Sequence, residues 1–383
     1  MFTKHLFLCL VLVNAIASIM QGQDTAEAKA LARSNKVRAA IDKAIAAQDV
    51  KAFASLVDQE RFLDRVFEDI PASATQRTTF TKRYKEMGAI TVMLQSAHDH
   101  VRNGGRYLWV RNVFDSNNVR PLYRLTGKES ELRNYHEWLV EDIQGEPKII
   151  DVYIHLAGEY LSASLRRAML PAYLASTPNS KSDAAKIYTD LSKAVELYES
   201  RDFNGAFKIY EGLPKEYRTN KSLLLLKLNS ALEIGEKTSN PVMEEMQSLY
   251  PNDPCLKLCL INMHIQKKEW DKFLTSIDEL EESIQDPYVS SLKVDVLMLL
   301  GRQTEAEDAI EHAIENIPEM VELHWSRLGL MLATKQNAKI ASYLSEIKKR
   351  FNIKHNQVSK TPEFAQFAAS PEGKSWIAAN EKR

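Results

Sequence analysis

Five side chains within about twenty residues have the types and spacing for proton chemistry. Asp151, Tyr153 and His155 alternate with Ile150, Val152 and Ile154, so in a strand the polar three share one face and the aliphatic three the other. His136 and Trp138 share a face of the preceding strand. If all five lined one cone-shaped cavity, a carboxylate could act as base while a tyrosine or histidine polarised a carbonyl. The competing arrangement puts the aliphatic face in the core and turns the polar face to solvent or to another part of the chain.

Other chemistries find less support. His98 and His100 flank Asp99 near a helix end; the spacing suits a metal only in an extended segment, and no third or fourth ligand lies nearby, so the pair reads as a solvated helix terminus. His312 and His324 are expected on the surface. Cys255 and Cys259 stand i, i+4 on a helix, where a disulfide would be strained and a zinc site lacks its second pair; buried free thiols are expected. The sequence carries no phosphate-binding glycine loop, no nucleophile elbow and no His-Glu-x-x-His pair. It therefore predicts no catalytic residue, no metal site and no cofactor.

The elements that must position the five residues are legible. Val37, Ile41 and Ile45 predict a helix over 35–47, and further helices follow over 51–57, 58–67 and 80–94. The texture changes at Asn103-Gly104-Gly105. Strands are predicted over 106–114, 122–125, 135–143 and 148–156, with Gln144-Gly145-Glu146-Pro147 as a turn. Helices first and an antiparallel meander after them make an α+β domain over 24–176. In its order, and in the strands Tyr135–Val140 and Asp151–Ile154, this domain resembles the NTF2-like family, a curved sheet wrapped around an N-terminal helix. The resemblance implies a cone-shaped interior and, for some members, a small-molecule or isomerase/dehydratase-like site. A helix over 160–173 follows, and Thr177-Pro178-Asn179-Ser180 marks a linker over 177–182.

From Asp183 to Arg350 the chain repeats itself. Ala206, Phe273, Ala306 and Ile340 recur at about two, one and one periods of roughly 33–34 residues. Tyr210, Ile277, Ile310 and Leu344 follow four positions later, and Leu213, Leu280, Ala313 and Ile347 three beyond those. An i, i+4, i+7 stripe in constant phase is a buried helix face. A weaker unit between the first two places Val242, Met246 and Leu249 in the same phase. The pattern resembles the tetratricopeptide repeat (TPR) family. Gly301 stands at the turn glycine, Ala306 and Ala313 at the small contact positions and Pro318 at the closing proline; Arg201 and Lys268 replace the glycine, and Phe273 the alanine. The resemblance implies a superhelix of helix pairs whose first helices line a groove for a protein or peptide. Asn229, Asn262, His264, Asp295 and Arg327 are the groove candidates. The tail, 351–383, carries Trp376 and Ile377 to cover the last repeat.

Composition sets the remaining bounds. With 383 residues, 44% apolar content and a formal net charge of −1, the chain lacks the broad basic field that nucleic acid or anionic lipid would call for. Residues 1–23 read as a signal peptide: Lys4 and His5, the short apolar run Leu6 to Ile16, then Ala15-Ile16-Ala17 as a small-x-small site. A retained anchor is the alternative. Cleavage would leave no membrane span, and an exported chain with so few cysteines fits a bacterial periplasmic or otherwise secreted protein. The expected function is that of an exported, non-enzymatic scaffold binding protein partners through its repeats. The alternative is a small-molecule or isomerase/dehydratase-like sheet domain that the repeats merely position.

Overall fold

The computed structural model describes residues 26–68, 74–75, 77–78, 81–82, 89–115, 118–128, 132–167, 183–251 and 253–381. The expected signal peptide, 1–23, and the expected linker, 177–182, lie outside the described residues. Two compact units result, one ending at Leu258 and the other running from Cys259.

The first unit begins with α1 (26–46), α2 (Val50–Ser55), α3 (Gln59–Val66) and α4 (Ala89–Arg102). Asp49 caps α2 by accepting from the Ala52 amide, and Asp58 caps α3 by accepting from Arg61. Residues 81–82 and 89–94 of the predicted helix over 80–94 are helical and α4 runs on to Arg102, while 80 and 83–88 lie outside the described residues. A five-stranded antiparallel meander follows, in the order β1 (Arg106–Asp115), β2 (Asn118–Thr126), β3 (Leu132–Ile143), β4 (Glu146–Ile154) and β5 (Glu159–Tyr160). Bulges between Trp109 and Arg111 and between Leu139 and Val140 interrupt the ladders, and bulges of this kind bend a sheet. Val57, between α2 and α3, pairs in parallel with Ile149, so the helical segment is bonded onto the outer edge of β4.

One face of this sheet and the helices share a core. Val37, Ile41 and Ile45 of α1, Phe53 of α2, and Phe62 and Val66 of α3 are buried with Tyr107, Tyr123, Trp138, Val140, Ile149 and Val152. The predicted i, i+4 stripe of the first helix is thus the stripe the sheet covers. Helix α5 (161–167) adds Leu161 and Leu165 to the same cluster.

The rest of the first unit holds two helix pairs: α6 (Asp183–Glu199) with α7 (Phe203–Gly212), and α8 (Lys221–Ile234) with α9 (Glu236–Leu249). Helix α10 (Pro254–Lys267) crosses into the second unit, where α11 (Trp270–Ile284) pairs with it in sequence. There follow α12 (Val294–Leu299) with α13 (Gln303–Asn316), and α14 (Val321–Ala333) with α15 (Asn337–Ile347). Helices α16 (His355–Ser359), α17 (Ala365–Ala369) and α18 (Pro371–Glu381) close the chain. Trp376 is buried among Leu344, Ile347 and Phe367, its indole donating to Ser345 Oγ at 3.1 Å, and Ile377 packs against the same cluster.

Fourteen of the fifteen repeat positions read from the sequence are buried. Leu249 is the exception: it is the last residue of α9 and is exposed, while the hydroxyl of Tyr250 beyond it bonds the Thr219 carbonyl at 2.6 Å. Four of the five joints between paired helices are alike; the one between α8 and α9 turns instead at Gly235, with φ 131°. Arg201, Lys268, Gly301 and Lys335 all have positive φ, at 65°, 56°, 72° and 55°. The amide after each bonds back five residues: Asp202 to Leu197, Glu269 to His264, Arg302 to Leu297 and Gln336 to Met331. This is the Schellman ending, and it favours glycine at the left-handed residue. Arg201, Lys268 and Lys335 therefore sit in a conformation that only Gly301 adopts without strain. Lys335→Gly is expected to raise stability by up to about 1 kcal/mol, the strain relieved being partly offset by glycine's greater unfolded-state entropy; denaturant unfolding of the two chains checks it.

Candidate functional site

The register of β3 on β4 decides what the five polar residues can do. His136 pairs with Ile154 and Trp138 with Val152, whereas Glu137 pairs with Tyr153. Directly paired residues of antiparallel strands point to the same face. His136 and Trp138 therefore lie on the helix-covered face with Val152, and Tyr153 lies with Glu137 on the other. The single cavity imagined for all five is not formed.

On the covered face the polar atoms are engaged with one another. The Trp138 indole donates to the Tyr107 hydroxyl at 2.9 Å, and that hydroxyl is hydrogen-bonded to His136 Nδ1 at 3.2 Å. Phe53 meets Trp138 edge-on at 5.4 Å. Burial pushes the His136 pKa down to about 4, with the nearby His155 acting in the same direction.

On the opposite face, Glu137 accepts from His155 Nε2 and from Arg120 Nε, each at 2.8 Å. Burial opposes ionisation of Glu137, but the hydrogen bond and charge of His155 and the Arg120 guanidinium outweigh it and hold the carboxyl below its usual range. Asp151 is buried and already receives three side-chain and backbone donors besides its neighbour Val152: Arg65 Nε at 2.7 Å, Ser162 Oγ at 2.6 Å and the Ser162 amide at 3.2 Å. A carboxylate so saturated has no lone pair aimed at a substrate. Tyr153 receives Lys221 Nζ at 2.7 Å, and the same ammonium reaches Asp253 at 2.6 Å. Burial raises the Tyr153 pKa, and the lysine partly offsets it. The polar face of β4 is thus spent on internal contacts. Neither Lys221 nor Asp253 was singled out in the sequence, where they lie far from the strand.

The repeat candidates divide. Asn229 and Asp295 are exposed. The side chain of Asn262 lies outside the described residues. His264 is buried and pairs with Glu269 at 2.8 Å, so it is a joint residue and not an open contact. Arg327 pairs with Glu311 and lies 4.4 Å from the Tyr343 ring centre, with a quarter of its side chain exposed. Large aliphatic side chains were missed: Ile265, at the end of α10, is 45% exposed, Leu299, at the end of α12, 65%, and Leu300 follows it. Their signal in the sequence is a hydrophobic residue outside the buried stripe. A charged cleft of about 330 Å³ in the second unit is lined by Asp278, Lys293, Arg302, Glu305, Asp308 and His312. Its opposite charges are mostly paired, as in Lys293 with Asp278 at 2.6 Å and Arg302 with Glu305 at 2.6 Å.

Two histidine expectations are corrected. His98 is buried against Phe53, with ring centres 5.9 Å apart, and is not solvated. The helix runs past it to Arg102, which carries it under α2. Burial lowers its proton affinity against the pull of Asp49 and Asp99. His324 is buried as well, bonded to the Tyr343 hydroxyl and, at 2.9 Å, to the Pro318 carbonyl. His312 keeps an exposed side chain and pairs with Glu281 at 3.0 Å. Among the described residues no cluster of metal-ligating side chains forms and no helix is long and apolar enough to cross a membrane.

No family model matches the chain, and no curated protein does. Solved structures are similar over part of it. The crystal structure of the MamA protein is 13% identical over 45% of this chain and 93% of its own, with a TM-score of 0.35. A thermophilic TPR protein of Thermus thermophilus is 16% identical over 45% of this chain and 94% of its own, with a TM-score of 0.29.

Proposed function

We propose that the chain is a non-enzymatic scaffold that binds a protein partner through TPR-type repeats, with an NTF2-like sheet module serving for docking. The observation that carries this is the exposed aliphatic group at the ends of α10 and α12, Ile265, Leu299 and Leu300. None of the three is part of the buried repeat stripe, and apolar surface left in water at successive first helices suits a partner. The saturated state of Asp151, Glu137 and Tyr153 supports a structural role for the sheet. Such a scaffold needs no cofactor. Export to the periplasm or beyond, by way of the segment 1–23, is part of the proposal and is checked by fractionation of cells producing the tagged chain.

Ile265→Glu combined with Leu299→Glu tests the binding surface. The double variant is expected to lose a partner that the wild-type chain retains from a native envelope fraction, with its thermal unfolding shifted by no more than a surface change allows, about 0.5 kcal/mol per site. Retention of the same partner by the double variant would remove these residues from the interface.

A further inference from the structure

The turn after β4 reaches onto the N-terminal ends of two repeat helices within the first unit. Lys221 opens α8, and Asp253 immediately precedes α10. Through its bonds to Tyr153 and Asp253, the one ammonium ties the sheet to both helix starts. A lysine at a helix N-terminus opposes the helix dipole, and here Asp253 answers its charge. Two residues on from the strand, the Leu156 carbonyl accepts from Cys255 Sγ at 3.3 Å. Gly158, with φ +64°, follows. A Cβ placed on it would stand 2.9 Å from Leu225 Cδ1 and 3.1 Å from Lys221 Cε, so bare backbone lies against α8. The contact includes one bridging cation, one thiol and one glycine, and Glu159, next after the glycine, accepts a hydrogen bond from Ser222 of α8. Intrachain contacts carried by polar groups in this way resemble transient interfaces more than cores.

We propose that the β4–β5 turn is an intramolecular latch: it occupies the N-terminal ends of α8 and α10 and withholds that end of the repeat surface from partners until it lifts. The proposal rests on the scaffold function above, but its test needs no partner. Cys255 is fully buried beside the turn and reports its lifting. In the full chain with Cys9→Ser and Cys259→Ser, alkylation of the remaining thiol is followed against denaturant. Helical circular dichroism measures global unfolding in parallel. The latch requires Cys255 to label through an opening that depends on denaturant more weakly than global unfolding does, as sub-global openings do. Gly158→Val, which drives a branched side chain into Leu225 at positive φ, is expected to speed labelling on the order of tenfold in the absence of denaturant, the factor that about 1.4 kcal/mol corresponds to. Lys221→Met is expected to act in the same direction without adding bulk. Labelling that tracks global unfolding in the wild-type chain and in both variants would overturn the latch and make the turn part of one cooperative core. Failure to find a partner would leave this result standing, and loss of the latch would leave the exposed residues of α10 and α12 as they are.

Discussion

Arg65→Met is expected to destabilise the protein by about 3 kcal/mol, the lower end of the range for stripping one partner from a buried ion pair. Asp151 has no exposed side-chain surface, and Arg65 Nε is its only cationic donor among the described residues. Removing the guanidinium leaves a buried carboxylate held by the Ser162 hydroxyl and amide and by the Val152 amide, with no cation. Those three bonds place the expected loss at the low end. The guanidinium also lies 4.9 Å from the Tyr160 ring centre, so β5 loses a contact at the same time. Asp151→Asn in the Arg65→Met background should recover part of the loss, because an amide carries no charge to strand. Equilibrium unfolding in urea measures all three. A carboxylate kept open for catalysis would behave in the opposite way: Arg65→Met would leave stability nearly unchanged, and that result would reopen the catalytic interpretation of β4.

The second large effect is acid destabilisation through His136. Its pKa falls from an ordinary 6.5 to about 4 in the folded state, first by burial and then by the neighbouring His155. Between those values the unfolded chain binds a proton that the folded chain refuses. Stability therefore drops as pH falls from 6.5 towards 4, by about 3 kcal/mol in all. His98, whose proton affinity is also lowered, adds to the loss in the same window. Glu137, with a depressed pKa, contributes only further down, as pH falls below the ordinary carboxylate value. A His136→Phe chain should thus show an acid limb shallower by close to one proton between pH 6.5 and 4.5, even though it loses the Tyr107 hydrogen bond and starts less stable. Unfolding free energies at half-unit steps of pH give the slope. An unchanged slope would mean that the Tyr107–His136–Trp138 network opens before the histidine protonates.

What could be read from the order of residues is whatever rests on the local direction of side chains along one element. The stripes of α1, α7, α11, α13 and α15 follow from a helical repeat that places i, i+4 and i+7 on one face whatever lies opposite. The joints were half legible: Gly301 declared itself, while Arg201, Lys268 and Lys335 adopt the same left-handed turn without the residue that advertises it, because the bonds closing each helix outweigh the strain of one side chain. The alternation of Asp151, Tyr153 and His155 was visible for the same local reason. What that alternation is for was not. Which face of β4 meets the helices depends on how β3 registers against it, and register is a property of two strands. His136 and Asp151 look like neighbours in the sequence pattern, yet pairing of Glu137 with Tyr153 sends them to different surroundings. The partners that consume the polar face, Arg65 and Lys221, lie 86 and 68 residues away from Asp151 and Tyr153, beyond the reach of any periodicity. That these charges are spent within the fold emerges in three dimensions alone, because electrostatic pairing depends on distance in space and leaves no spacing in the chain.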